Sequence, residues 1–145
     1  MPDPVTIREI EDADVAPAIA LWHEAGVFRP WNDPERDIAF ARRGPHSTVL
    51  LAEAGGRIVA SAMVGEDGHR GWVHYVAALP ERQGSGLGRA IMRAAEAWLA
   101  ARGVWKVQLL VRAGNERVVG FYEHLGYRDT HTVCLQKILE PPPGG

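Results

Sequence analysis

The sequence has a single cysteine, no long hydrophobic run and almost no excess of charge, and each of these excludes a class of protein. Cys134 is the only cysteine among 145 residues, so an intrachain disulfide and a cysteine-based zinc site are both excluded. No apolar stretch approaches the roughly 20 residues that span a bilayer. A formal net charge of −2 gives no reason to expect nucleic acid or an anionic membrane as a partner. Residues 1–4 lack the basic and then apolar pattern of a signal peptide, so we expect a cytoplasmic protein. We also expect no metal site.

The length and composition are those of one domain. A hydrophobic content of 46% and a charged content of 23% are ordinary for a globular protein of this size. We therefore predict a single domain over residues 1–140, followed by a flexible tail at 141–145. Cys134 lies in an alternating apolar run, which predicts a buried and unreactive thiol.

Alternating and helical periodicities, separated by glycine and proline turns, divide the chain into strands and helices. Gly55-Gly56 predicts a hairpin between two apolar runs, and Asn115 and Gly126 would begin and end the last helix. Helices are predicted from Asp12 or Asp14 to about Gly26, at 34–43, over 90–99 and between Asn115 and Gly126. Strands are predicted at 5–10, 48–54, 57–64, 73–79, 106–111 and 130–139.

The most informative segment is the glycine-rich turn at residues 80–90, Pro-Glu-Arg-Gln-Gly-Ser-Gly-Leu-Gly-Arg-Ala. A strand precedes it and a helix follows, an arrangement that directs free backbone N–H groups and the helix dipole at an anion such as phosphate. A nucleoside triphosphatase loop would end in Gly-Lys-Ser/Thr, but Gly88 is followed by Arg89. Arg89 also stands where a dinucleotide fingerprint needs glycine or alanine, so a Rossmann-type nucleotide-binding protein is excluded.

Two motifs in the correct order carry a family resemblance. Gln83, Gly86 and Gly88 fit the pattern Gln/Arg-x-x-Gly-x-Gly/Ala, which resembles the acetyl-CoA pyrophosphate loop of the GNAT (GCN5-related) N-acetyltransferases. Downstream, Asn115, then Phe121-Tyr122, then Leu125-Gly126-Tyr127 is similar to the second motif of that family. Through these two motifs the chain resembles the GNAT family. The resemblance implies acetyl-CoA as the cofactor.

A narrower subgroup is indicated by three further segments. They are residues 29–35, Arg-Pro-Trp-Asn-Asp-Pro-Glu, residues 67–71, Asp-Gly-His-Arg-Gly, and residues 122–127, Tyr-Glu-His-Leu-Gly-Tyr. Together with the glycine loop these look like the YpeA-like acetyltransferases, over about residues 7–139. This subgroup is poorly defined in function, so it sharpens the expected fold and cofactor more than the substrate.

The resemblance implies an α/β fold of the α+β type, with one domain built on a mixed central sheet of six to seven strands and about four helices. Two strands would splay apart at the acetyl-CoA site, where backbone groups of one strand pair with pantetheine and the loop N–H groups hold the pyrophosphate. Asn115 would bond the pantetheine arm or a nearby water, or would only cap its helix. The implied cofactor contacts are Val76, Ala77, Ala78, Leu79, Gln83, Gly84, Ser85, Gly86, Leu87, Gly88, Arg89, Asn115 and Tyr122.

Two catalytic roles follow from the same resemblance. Tyr122 occupies the position of the family tyrosine that protonates the departing CoA thiolate, and a phenol with a pKa of about 10 suits a thiol near 8.5. Packing in the last helix is the alternative role. The strand before the loop has no carboxylate to act as a base, and His74 is its only imidazole. His74 is accordingly the candidate base, with a structural role or a water chain as alternatives.

The acceptor is expected to be a primary amine of a small molecule or of a protein or peptide. A catalytically weak acyl-CoA-binding or sensing module is the alternative function, and the resemblance allows a homodimer. We expect the loop at 29–33 and the hairpin at 67–70 to converge beside the thioester, because binding residues concentrate on loops held by a rigid scaffold. The candidate acceptor-binding residues are Arg29, Trp31, Asn32, Asp33, Asp67, His69 and Arg70.

Overall fold

The computed structural model of the chain describes residues 4–140. The chain divides into two compact units, Met1–Leu109 and Leu110–Gly145. The predicted flexible tail at 141–145 lies outside the described residues. No helix within residues 4–140 combines the length and the apolar character needed to cross a bilayer.

The first unit contains one sheet in which neighbours in the chain are also neighbours in space. The strand order is β1-β2-β3-β4-β5. All pairs are antiparallel except β4 with β5, which is parallel because the third helix crosses over between them. The strands are β1 (Val5–Glu9), β2 (Ser47–Ala54), β3 (Arg57–Glu66), β4 (Gly71–Ala78) and β5 (Val107–Leu109).

Three helices accompany this sheet, namely α1 (Val15–Glu24), α2 (Pro34–Ala41) and α3 (Leu87–Ala100). The start of α2 is set locally, since Pro34 occupies its first turn and the Asp33 carboxylate accepts the Arg36 N–H at 3.1 Å. The hairpin between β2 and β3 turns at Gly55 and Gly56, whose φ angles of +57° and +77° suit a two-residue turn that most residues would strain.

The helices lie on the two faces of the sheet. A Cβ on Gly71 would come within 2.6 Å of the Leu99 side chain, so α3 packs directly on the first residue of β4. On the other face the Trp22 indole of α1 donates to Ser61 Oγ of β3 at 2.8 Å. Trp22 and Ser61 are fully buried, as are Ile91 and Met92 of α3, and the core therefore occupies both faces.

The second unit contains α4 (Glu116–His124). The Asn115 side chain accepts the Val118 N–H at 3.4 Å, which makes Asn115 the N-cap. Gly126 follows the helix with a φ of +97°, as expected for a glycine that ends a helix. The predicted frame of the last helix is thus confirmed.

The sheet has five strands, so the prediction of six to seven is wrong. Residues 128–138 form no regular secondary structure, although 130–139 alternates like a strand. A strand needs a partner for its backbone N–H and C=O groups, and within residues 4–140 no strand pairs with this segment. Val133 and Leu135 are 84% and 90% exposed. Cys134 is exposed as well, so the prediction of a buried thiol is also wrong.

Candidate active site

An open edge along β4 is the first element of the site. β4 pairs with β5 at only three positions, Gly71, Trp72 and Val73. Beyond Val73 it continues to Ala78 with β3 as its only neighbouring strand in the described chain. Backbone groups on the unpaired side of residues 74–78 therefore remain available to a ligand, which fits the splayed strands implied by the family resemblance.

The backbone ladder decides which residues can use this open edge. The Leu79 N–H donates to Val59 O at 2.9 Å, and the Leu79 carbonyl accepts the Arg82 N–H at 2.9 Å. Because bonding groups alternate between the two sides of a strand, the groups of Ala78 face the opening, and its carbonyl receives the Gln83 side chain at 3.4 Å. Both backbone groups of Leu79 already make hydrogen bonds within the protein, so its predicted contact with the cofactor has no support from these bonds and stays a prediction.

The glycine-rich turn fits an anion. Gly84 and Gly86 adopt φ angles of +85° and +88°, a conformation that residues with a Cβ atom rarely adopt. The first helical bond of α3 runs from the Ala90 N–H to Gly86 O at 3.0 Å. The N–H groups of residues 86–89 precede this bond and therefore have no acceptor within the helix. These N–H groups and the helix dipole form a positive end suited to a pyrophosphate.

The backbone N–H groups of Ser85 and Gln83 make hydrogen bonds within the turn and are therefore not free to bind a phosphate. The Ser85 N–H donates to Arg82 O at 3.2 Å, and its hydroxyl donates to the same carbonyl. The Gln83 N–H donates to Pro80 O at 3.3 Å, in the short 3₁₀ turn Pro80–Arg82. The residues best placed to bind phosphate are accordingly Gly84 and the first turn of α3.

A bulge in β4 lies where the strand leaves β5. The register with β3 moves from Met63 opposite His74 to Ser61 opposite Ala77, so Tyr75 and Val76 together face one residue of β3. Tyr75 has a φ of +51°, a left-handed conformation that costs a non-glycine residue about 1–3 kcal/mol and persists only when its surroundings enforce it.

Three contacts hold Tyr75 in this conformation. Its ring stacks on the Trp22 indole with centroids 3.9 Å apart. Its carbonyl accepts the Ser61 hydroxyl at 2.8 Å, and its own hydroxyl donates to Asp37 Oδ2 at 2.7 Å. Burial raises the Tyr75 pKa, and so do the hydrogen bond and the negative charge of Asp37. The phenol is therefore protonated at neutral pH.

His74 lies on the same face of the sheet as Tyr75. It is opposite Met63, which shares a face with Ser61 because the two are separated by one residue of β3. The His74 side chain is exposed and lies parallel to Trp72, with ring centroids 6.3 Å apart. Desolvation by the surrounding protein lowers the His74 pKa from 6.5, against the opposing influence of Asp37. The imidazole is therefore mostly neutral at pH 7 and able to accept a proton.

Tyr122 is buried in α4 of the second unit. Its ring meets Phe121 and Tyr127 edge-on, with centroids 5.0 and 5.8 Å away. Burial raises the Tyr122 pKa to about 12, which keeps the hydroxyl protonated over the whole range in which an enzyme is assayed. The exposed Asn115 uses its side-chain oxygen as the cap of the same helix, so its predicted contact with pantetheine stays a proposal.

The predicted acceptor loop at 29–33 is bound partly to itself. Arg29 donates to the carbonyls of Gly26 and Phe28 at 2.8 and 2.9 Å, and Trp31 is 57% exposed. Asn32 is exposed as well, and its N–H donates to Arg29 O at 3.0 Å. Asp33 caps α2, and its charge contributes to the raised Tyr75 pKa. Of this loop, Asp33 is the residue whose negative charge acts on Tyr75 of β4.

The hairpin at 67–70 builds its own turn. The Asp67 carboxylate accepts the N–H groups of His69 and Arg70, and also the Trp72 indole N–H at 3.0 Å. The first two bonds, from Arg70 and then His69, contribute most to lowering the Asp67 pKa to about 2. Arg70 donates to Gln108 Oε1 at 3.2 Å, at the end of β4 that pairs with β5. The expected convergence of this hairpin with the loop at 29–33 has no support from these contacts.

Trp22, Asp37 and Tyr75 were not among the residues singled out from the sequence. Asp37 follows Asp33 by four residues at the start of a helix, a spacing that places both on one face and could have drawn attention to it. Tyr75 carries no such signal, because a bulge depends on the register of two strands that are distant in sequence.

Replacing Arg70 by alanine tests the hairpin directly. Since Arg70 bonds Gln108 and lies in the turn before β4, five residues before Tyr75 in the sequence, we expect the KM for the acceptor to stay within about twofold of wild type, as for a residue that makes no substrate contact. Steady-state kinetics at saturating acetyl-CoA measures this. A several-fold rise in KM with unchanged CoA affinity would instead support Arg70 as an acceptor-binding residue.

Comparisons with known proteins find relatives over most of the chain. Residues 9–127 match the model of the acetyltransferase (GNAT) family. A Yersinia enterocolitica protein named acetyltransferase YE1169 is 40% identical over 133 residues, covering 92% of this chain and 94% of that protein. The ribosomal-protein-S18-alanine N-acetyltransferase of Escherichia coli is similar at a TM-score of 0.73 and 29% identity, over 85% of this chain and 77% of that one.

A further comparison shows the fold alone. The aminoglycoside N-acetyltransferase AAC(6')-Iy, solved in complex with CoA, superimposes with a TM-score of 0.82 at 14% identity. The alignment covers 96% of this chain and 97% of that protein.

Proposed function

The chain belongs to the GNAT family of acetyltransferases and is an N-acetyltransferase that uses acetyl-CoA, and on this premise we propose that it acetylates a primary amine of a small molecule or of a protein or peptide. The observation that carries the proposal is the open edge of β4 leading into the free N–H groups of residues 86–89. The membership of the YpeA-like subgroup, the cytoplasmic location and the homodimer stay predictions from the sequence.

Binding of the donor would use backbone groups. The N–H groups of Gly84 and of residues 86–89 would hold the pyrophosphate, and the open side of β4 from Val76 to Ala78 would pair with the pantetheine amides. Acetyl-CoA supplies an activated acetyl thioester when bound. The protein's task is to align this thioester with the amine, which removes much of the entropic barrier.

Two side chains would move protons. His74, largely neutral at pH 7, would accept the proton that the acceptor's ammonium must lose before its nitrogen can attack. Tyr122, held protonated by a pKa of about 12, would donate its proton to the sulfur as the thiolate leaves. Positioned acids and bases of this kind typically contribute about 10²–10⁴-fold each.

The direct test is an acceptor screen. Acetyl-CoA is incubated with the protein and with primary amines of each class, and free thiol is measured. Acetylation of any amine above the rate of spontaneous hydrolysis supports the proposal. A protein that is stabilised by CoA but acetylates nothing in such a screen would instead fit the acyl-CoA-binding module.

The role of His74 predicts a pH dependence. A base must be unprotonated, so kcat/KM should fall as the pH drops through the His74 pKa, which lies below its ordinary value of about 6.5. His74→Gln should lower kcat at pH 7 and abolish this acidic limb. His46→Gln changes another exposed histidine, one paired with Glu66 at 2.6 Å, and should keep the limb. An unchanged profile in His74→Gln would assign the base elsewhere.

A further inference from the structure

Asp37 and Tyr75 join α2 to the bulge of β4 on the face that also carries His74. We infer that Asp37 binds the ammonium group of the acceptor and that Tyr75 is the positioning residue that aims its carboxylate. The inference rests on the proposed function and adds the residues that would bind the ammonium group of the acceptor.

The geometry of Tyr75 is the first support. Its hydroxyl reaches Asp37 Oδ2 at 2.7 Å because the bulge turns the ring onto Trp22, on the face of the sheet that α1 covers. In a regular strand the residue after His74 would face the opposite side, toward α3. The left-handed φ of +51° therefore brings the Tyr75 phenol to the Asp37 carboxylate, next to the open part of β4. A packing role for Tyr75 would not require the hydroxyl to meet Asp37.

The state of the Asp37 carboxylate is the second support. Within residues 4–140, the ion pairs include none between Asp37 and a basic side chain. Tyr75 is its hydrogen-bond donor at Oδ2, and no described side chain donates to Oδ1. One oxygen is therefore fixed while the other is left to bind a cation, and an ammonium group with its three N–H donors fits it.

The position of the candidate base is the third support. His74 lies on the same face of the sheet as Tyr75, whose hydroxyl donates to Asp37, and the negative charge of Asp37 opposes the lowering of the His74 pKa. Asp37 would hold the cation, and His74 would remove its proton. The pair also predicts a preference among acceptors, because an anionic group next to the amine would be repelled by the same carboxylate.

The experiment measures amine binding and turnover separately. Three probes are titrated calorimetrically into the CoA complex, namely a peptide with a free N-terminus, an N-blocked peptide containing lysine, and an aminoglycoside. Acetylation of the same probes is followed by thiol release. The variants are Asp37→Asn, Tyr75→Phe and the double variant, with Glu35→Gln as the control that removes an exposed charge from the same helix. Thermal melting and the CoA-induced shift check that each variant folds.

Asp37→Asn is expected to weaken binding of the best probe, and to raise its KM, by about 10- to 100-fold, as for the loss of a hydrogen bond to a charged group. Tyr75→Phe should act in the same direction but less, with kcat and the CoA-induced shift retained. Since Tyr75 acts through Asp37, adding Tyr75→Phe to Asp37→Asn should cause little further loss. Glu35→Gln should match wild type.

A neutral probe sharpens the test. The hydroxyl analogue of the best amine should bind wild type much more weakly than the amine does, while Asp37→Asn should bind the two about equally. Equal losses for the amine and its analogue would mean that Asp37 does not read charge, and would overturn the inference.

The outcomes separate this inference from the proposed function. Turnover that is the same in Asp37→Asn as in Glu35→Gln overturns the inference and leaves the function standing. Amine binding that needs Asp37 but never leads to thiol release supports the inference and overturns the function. If no amine binds and none is acetylated, both fail. Additive losses in the double variant would reduce Tyr75 to a packing residue.

Discussion

Replacing Tyr122 by phenylalanine is expected to lower kcat by about 10²–10⁴-fold, the usual contribution of a positioned general acid. Only the hydroxyl is lost, and the edge-on ring contacts with Phe121 and Tyr127 survive the change. Since burial raises the Tyr122 pKa to about 12, the wild-type hydroxyl carries its proton at every pH of the assay. CoA binding and the melting temperature should therefore stay close to wild type while turnover collapses.

The control for this variant is Tyr127→Phe, which removes a hydroxyl from the ring that touches Tyr122. Its kcat should stay close to wild type, because the Tyr127 hydroxyl takes no part in the proton transfer proposed for Tyr122. Steady-state kinetics with the acceptor found in the screen measures both variants. If Tyr122→Phe keeps the turnover of Tyr127→Phe, the buried tyrosine is a packing residue and the acid is another group.

Replacing Gly86 by glutamate is expected to abolish the stabilisation that CoA gives to the protein. The new carboxylate would stand at the positive end of α3, where it repels a phosphate and competes for the same N–H groups. A ligand present at a hundred times its Kd stabilises the folded state by about 2.7 kcal/mol, which a thermal melt detects easily. This shift should vanish in Gly86→Glu.

Gly114 offers a matched control for the backbone cost of that change. Its φ is +88°, the same as that of Gly86, and a Cβ at either glycine meets no atom within 4 Å. Gly114→Glu should therefore introduce the same conformational strain but keep the CoA-induced shift in melting temperature. Circular dichroism spectra of both variants should match wild type. A full thermal shift in Gly86→Glu would show that the pyrophosphate binds elsewhere.

Features that depend on a few neighbouring residues were predictable from the sequence. The start of α2 at Pro34, the hairpin at Gly55-Gly56 and the cap and stop of α4 at Asn115 and Gly126 all follow from local backbone chemistry. The anion-binding turn belongs to the same class, because the spacing of its glycines sets both the turn and the first free N–H groups of α3.

Features that depend on pairing across the chain were not predictable. The alternation at 130–139 suggested a strand, but whether such a segment pairs is decided by an available edge and not by its own pattern. The meeting of Tyr75 with Asp37 joins residues 38 positions apart and requires a bulge whose register no short motif encodes. No local pattern therefore singles out Asp37, while the acceptor role predicted for the polar hairpin at 67–70 stays a prediction.

The bulge in β4 also changes which side chains of this strand lie on the same face of the sheet. An extended chain divides its side chains equally between two faces, so a cleft beside a sheet ordinarily receives every second residue. The extra residue lets His74 and Tyr75, adjacent in the chain, lie on the same face of the sheet. A deletion of one residue here would restore a regular ladder and send Tyr75 to the opposite face, so the spacing of β4 is a more stringent requirement than the identity of its apolar residues.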